Sequence, residues 1–197
     1  MGSDAVTLIT NDHRALEALF RQLQTGKGDR RALVDEVAAR LTAHSRAEEQ
    51  HVYPAARDAG PVDESTVDHA YHEHAEADHL LNKVRNLIHS PHFDQALDEF
   101  VAAVKHHVEE EESEVLPALR KAVDKATLQR LGDAFDNARL ELVRRAGLDT
   151  PHTARSDGDL TDATRDELYE LAKQADIAGR STMNKNQLAR ALREHGG

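Results

Sequence analysis

The chain has 197 residues, a net charge of −11, few aromatic residues and no cysteine. That length can bury a real core in one or two domains. The missing cysteines exclude disulfides, thiolate metal sites, iron–sulfur clusters and a cysteine nucleophile, and the acidic balance argues against broad binding of nucleic acid or acidic membranes.

Apolar residues recur at helical spacing through most of the chain. They predict helices over 4–25, 29–58, 63–89, 93–121 and 125–146, with Asp63 or Ser65 capping the third. The breakers "GKGD" (26–29), "DAGP" (58–61) and "HSPH" (89–92) separate the first four. Four long helices with short connections predict an all-α, up-down-up-down four-helix bundle over 1–146, with the fifth helix as an accessory along its side. Polar "GLDTPHTARSDGD" (147–159) reads as a linker. Helical spacing resumes over 160–197, around "IAGRSTMNK", and predicts a small C-terminal helical module. No apolar run approaches the roughly 20 residues of a membrane span. The start lacks a charged region followed by a long apolar stretch, so no signal peptide is expected and the cytoplasm is the expected compartment.

Thirteen histidines are present, eleven of them before residue 121. They follow an internal repeat. "AHSRAEEQHVYPAAR" (43–57) and "HHVEEEESEVLPALR" (106–120) share His-x-x-x-Glu-Glu-x-x-x-x-Pro. "DHRALEALFRQL" (12–23) sets His13 where "EHAEADHLLNKV" (73–84) sets His74. The bundle therefore reads as two similar hairpins, each supplying a lone His and a His-x-x-x-Glu.

An α-helix turns about 100° per residue, so residues four apart share a face. His44 and Glu48 fall on a stripe with Leu33, Val37, Leu41, Ala47 and Ala55. His107 and Glu111 fall with Ala96, Phe100, Ala103, Val104 and Ala118. His13 lies among Val6, Ile9, Leu16 and Phe20, and His74 among Val67, Ala70, Ala77, Leu81, Val84 and Ile88. His69, His72 and His79 fall on the opposite side of that third helix. Burying four imidazoles and two carboxylates unpaired is costly. Two metal ions would compensate, and N/O ligation without thiolate suits iron, manganese or zinc. Taken singly, an inward His is more often a hydrogen-bonded core residue, and the glutamates at 109–112 and 114 read as a solvated run. Two copies in matching hairpins favour ligation. His51 shares the His44 stripe and has Glu114 as its counterpart, so both are candidate extra ligands, supports for the ligands or lining of a channel. Tyr53 is a candidate helper beside them. Glu49 and Glu112, about 140° from the ligand face on the same wheel, are expected to face solvent. Glu48-x-x-His51 has the ferritin-type diiron spacing, but its counterpart is Glu111-x-x-Glu114, which disfavours a ferritin-type site.

These segments, with "NDHRALEALF" and "HEHAEADHLL", resemble the hemerythrin-like HHE cation-binding family over roughly residues 4–145, in the form common among actinobacteria. The resemblance implies a four-helix bundle holding two non-haem iron ions with carboxylate bridges. Carried over, His13, His44, His74 and His107 are the terminal imidazoles, and Glu48 and Glu111 the bridges. It implies oxygen, peroxide or nitric oxide as the small ligand, in sensing or in detoxification with a peroxide- or nitric-oxide-consuming activity. Oxygen-carrying hemerythrins have His-x-x-x-His on the third helix, where the residues four away from His74 are Ala70 and Asp78. Their last motif is His-x-x-x-x-Asp, against His107-x-x-x-Glu111 here. The missing fifth histidine puts simple oxygen carriage in doubt; His69 would replace it only if a helix bulge turned it inward. "DELYELAKQADIAGRSTMNKNQLARAL" is similar to the SAP-like module at the N-terminus of transcription terminator Rho, whose relatives bind nucleic acid. Leu168, Leu171, Ile177, Met183, Leu188 and Leu192 would form its core, and Arg180, Lys185, Arg190 and Arg193 would reach phosphates. Residues 159–194 carry seven acids against six bases, short of a basic footprint. Other readings are an iron or redox sensor that reports through this module to a nucleic acid or protein partner, and a structural zinc or storage protein.

Overall fold

The computed structural model describes residues 3–60, 64–148, 165–174, 177 and 179–195. Asp63 and nearly all of the expected linker lie outside them, as do the side chains of Leu171 and Arg193. The chain divides into two compact units, 2–149 and 150–197.

In the first unit, α1 (Ala5–Gln24) starts at Asp4, whose carboxylate accepts from the Thr7 N–H at 2.8 Å. Asp29 caps α2 (Arg30–Ala47) in the same way through Ala32, also at 2.8 Å. Each cap satisfies an N–H that has no partner inside the helix. Between them, Gly26 and Gly28 take positive φ, which glycine adopts without steric cost. The second hairpin has α4 (Glu64–Asn86) and α5 (Phe93–Glu110).

Neither second arm is a plain α-helix. A π-helical turn over Glu48–Val52 joins α2 to α3 (Tyr53–Asp58), and another over Glu111–Val115 joins α5 to α6 (Leu116–Ala122). The Tyr53 N–H reaches back to the Glu48 carbonyl and the Leu116 N–H to that of Glu111, five residues away. Proline explains the widening. Pro54 and Pro117 lack an N–H, and their rings clash with the carbonyl four residues back. A π turn works as a one-residue insertion and sets later residues back by about 100°. The expected stripe is accordingly displaced by one position. Val52 and Ala56 are buried in place of His51 and Ala55, and Val115 and Leu119 in place of Glu114 and Ala118.

The buried polar residues of the bundle divide its hydrocarbon into two clusters. One contains Leu16, Phe20, Val37, Leu41, Leu81, Phe93 and Phe100, with Phe20 and Phe100 edge to face at 5.5 Å. The other contains Ile9, Val52, Tyr53, Leu116, Leu119 and Phe135. The accessory helix α7 (Lys125–Arg145) supplies Phe135 and is capped by Asp124. It packs along α1 and α2, with Gly132 close against the start of α1. In the second unit, α8 (Arg165–Gln174) and α9 (Lys185–His195) enclose Leu168, Ala172, Ile177, Leu188 and Ala189, with Met183 and Leu192 partly buried against them. Asn184 and Gln187 exchange side-chain and backbone hydrogen bonds at 2.9 and 3.0 Å, a capping box at the start of α9. Among the described residues no helix is long and apolar enough to cross a membrane.

A Cβ at Gly132 would lie 2.6 Å from the Ser3 carbonyl oxygen and 2.9 Å from the Ala5 nitrogen. Gly132→Ala gains about 1 kcal/mol of helix propensity, but the clash is with backbone and costs about 1–3 kcal/mol. The expected result is a lower melting temperature by circular dichroism. A variant as stable as the parent would show that α7 does not approach α1 this closely.

Candidate metal centre

Six ionisable side chains meet between the two hydrocarbon clusters. His13 comes from α1, His44 from α2, His74 from α4 and His107 from α5; Glu48 and Glu111 open the two π turns. All six are buried. The Nε2 atoms of His13 and His44 are 3.2 Å apart, and those of His74 and His107 3.1 Å. Glu48 faces both pairs: Oε1 is 3.2 Å from His44 Nε2 and Oε2 is 3.5 Å from His74 Nε2. Glu111 Oε2 is 3.3 Å from His13 Nε2. Yet none of the four oxygens of Glu48 and Glu111 has a hydrogen-bond partner among the described residues.

Imidazole nitrogens and carboxylate oxygens converging this closely are arranged as ligands of a shared ion are. Bonds of about 2.1 Å, spread 90–109° apart, separate neighbouring donors by about 3.0–3.4 Å. The donors form two groups, His13, His44, Glu48 and Glu111, and Glu48, His74 and His107, each with its ligand atoms within 4.8 Å of one another. Glu48 belongs to both. The side chains present therefore fit cations, and the orphaned carboxylate oxygens are the buried polar atoms that cations would satisfy.

The outer nitrogen of each imidazole is also held. Nδ1 of His13 meets Glu112 at 2.8 Å, that of His74 meets Glu49 at 2.9 Å and that of His107 meets Glu73 at 2.9 Å. His44 Nδ1 lies 3.4 Å from Asp12. A carboxylate can only accept, so Nδ1 carries the proton and the Nε2 lone pair points inward. The pattern crosses between hairpins: Glu112 serves His13 and Glu49 serves His74, while Asp12 and Glu73 each serve the next helix of their own hairpin. Arg139 of α7 anchors Asp12 at 3.1 Å, and Arg14 binds Glu112.

These contacts correct two expectations. Glu49 and Glu112 do not simply face solvent. A side chain about 100° from its inward neighbour points along the seam toward the next helix, where the imidazole lies. Asp12 and Glu73 were missed altogether, although an acid precedes the lone histidine in both hairpins. The π turns correct a third. His51 is only half-buried and Glu114 is exposed, so neither joins the centre. His69 is exposed as well and does not replace the absent fifth histidine. Tyr53, turned inward by the π turn, places its hydroxyl 3.3 Å from His74 Nε2. Burial, reinforced by Glu111 and Glu48, raises its pKa well above 10, so the phenol keeps its proton. Its counterpart in the other hairpin is Leu116.

A match to the family described as hemerythrin HHE cation binding domain spans residues 4–119. The chain belongs to that family. Among curated proteins it is 27% identical over 143 residues to a DNA nickase of Nostoc sp., covering 71% of this chain but 40% of the nickase. It is 29% identical over 155 residues to "Uncharacterized protein Rv2633c" of Mycobacterium tuberculosis and to "Uncharacterized protein Mb2666c" of Mycobacterium bovis, covering 76% of this chain and 93% of each. No solved structure matches. Family membership makes the bundle a cation-binding domain.

Without a cation, protons must supply the positive charge. Burial opposes charge on His13 and His74, but Glu111 and Glu48 beside the first, and Glu48 and Glu49 beside the second, outweigh it and raise each from 6.5 to about 9. Burial likewise opposes charge on Glu111, and His13 and its neighbours prevail, holding it down to about 2. The two histidines therefore contribute stability that is complete below about pH 6.5 and lost as pH rises through about 9; that of Glu111 is present above about 4.5 and lost as pH falls toward 2. Chelator-stripped protein is expected to melt at a lower temperature at pH 9 than at pH 6, and cation-loaded protein to lose much less. Equal melting of the stripped protein at both would show that these imidazoles do not hold the protons.

Proposed function

We propose that the bundle holds two iron ions and binds or reacts with oxygen, peroxide or nitric oxide, in redox sensing or detoxification. The observation that carries this reading is the set of four buried carboxylate oxygens without hydrogen-bond partners, converging with four imidazoles in two groups that share Glu48. His13, His44, His74 and His107 would be the terminal ligands, with Glu48 and Glu111 as the carboxylates. Bound iron would supply open coordination positions and electrons to a small oxidant. Glu112, Asp12, Glu49 and Glu73 hold the imidazoles with Nε2 inward, and the Tyr53 phenol keeps a proton beside His74.

The cavity against the imidazoles supports a small ligand. All four histidines line it, with Leu16, Leu41, Ala77, Val104 and Val108, and its volume is about 10 Å³. That is about the space one water-sized molecule needs. The small volume suits a small ligand such as a diatomic gas. In the C-terminal unit the Arg180 guanidinium, a candidate phosphate contact, donates to the Ile177 carbonyl at 2.9 Å within its own unit.

Elemental analysis of protein from iron-supplemented cells is expected to find about two irons per chain, as a two-metal site requires. Zinc, or a single ion, would overturn the diiron reading. Ala77→Leu, which fills the niche, is expected to keep the iron and to weaken nitric oxide binding about tenfold, or ~1.4 kcal/mol. Unchanged affinity would place the ligand elsewhere.

A further inference from the structure

The two hairpins repeat each other, so a feature present in only one needs a separate cause. With His13 set against His74 and His44 against His107, the seam between α1 and the first π turn corresponds to the seam between α4 and the second. The first seam is closed. Leu8 and Ala47 are buried there, and α7 lies over the seam, with Phe135 edge-on to His44 at 5.7 Å and Arg139 paired with Asp12. The second seam has no such cover among the described residues. It is a groove of about 400 Å³ whose walls include exposed His69 and Glu114, half-buried Glu110 and, deeper, buried His107 and Glu111.

Position for position, the groove exchanges hydrocarbon for ligand chemistry. His69 stands where the closed seam has Leu8, and Glu110 where it has Ala47. Exposure alone would favour polar residues, but these converge. His69 Nε2 lies 3.4 Å from Glu110 Oε2 and 3.7 Å from Glu73 Oε1, and the three side chains can offer donor atoms within 4.8 Å of one another. His106 Nε2 approaches the other oxygen of Glu110 at 3.3 Å. The second oxygen of Glu73 accepts from His107 Nδ1 at 2.9 Å. One carboxylate thus touches the outer cluster and an imidazole of the buried centre. Glu111, whose two oxygens are buried without hydrogen-bond partners, lines the same groove.

We propose that His69, Glu73 and Glu110 form an outer divalent-cation site at the mouth of the open seam, and that the buried centre is loaded through it. This rests on reading the buried cluster as a two-ion centre. Mixed imidazole and carboxylate donors suit Fe²⁺, Mn²⁺, Co²⁺ or Zn²⁺. Donors at a groove mouth, one exposed and two half-buried, bind such an ion loosely enough to release it inward, and a carboxylate-lined cleft raises the local cation concentration and the on-rate by about 10–10³. The fifth helix seals the corresponding seam of the first hairpin.

The test uses full-length, chelator-stripped protein mixed with Co²⁺, with uptake followed by visible absorption and tightly held cobalt counted after desalting. His69→Ala/Glu110→Gln is expected to load at least about tenfold more slowly but to reach the parent's final count. His79→Ala, an exposed histidine of α4 outside the groove, is expected to load like the parent. Parent-like rates in the double variant would overturn the proposal. So would a lowered final count in that variant, which would make these residues part of the buried centre. A parent protein that never retains two cobalt ions would instead remove the two-ion reading, and this proposal with it.

Discussion

Two buried carboxylates whose oxygens lack hydrogen-bond partners among the described residues sit in the middle of this bundle, and most of its architecture answers to them. An ionised carboxylate in hydrocarbon must be neutralised, paired or bound to a cation. Around Glu48 and Glu111 the chain has assembled four imidazoles, four carboxylates behind those imidazoles, and an arginine on the fifth helix behind one of them. The hydrocarbon clusters on either side close the layer off along the bundle axis. Such a layer is a poor source of stability by itself. It becomes one when positive charge occupies it, which ties the fold to its cation or to the protons that replace it.

The inward histidines and the two glutamates were legible because each lies on an apolar stripe, and periodicity reports burial directly. The bundle and its accessory helix were legible for the same reason. What sits behind the imidazoles was not. Whether Glu49 meets water or His74 depends on where α4 runs, and a single helical wheel holds no information about the neighbouring helix. The slip at the π turns was missed for a narrower reason. A wheel assumes one angular step throughout, and the step changes between Glu48 and Val52 and between Glu111 and Val115. The signal was present in the proline that ends both copies of the motif, because a proline inside a helical pattern must break it, kink it or widen it. Reading Pro54 and Pro117 as a widening would have moved His51 and Glu114 off the inner face and brought Tyr53 onto it.

The fifth helix gives this duplicated bundle a front and a back. Gly132 lets α7 press against the start of α1, and Phe135 and Arg139 then occupy the first seam. A helix that looks like an appendage in the sequence thereby decides which side of the buried layer meets solvent.

The duplication has also stopped short of symmetry inside the layer. One group of donors counts His13, His44, Glu48 and Glu111; the other counts Glu48, His74 and His107. The group with fewer donors is the one beside Tyr53, where the first hairpin's counterpart position in the second carries the hydrocarbon of Leu116. It is also the one whose His107 borders the open groove. Two positions built from one repeated pattern thus differ in donor number and in their neighbours, and a pair of ions held there would be distinguishable partners rather than twins.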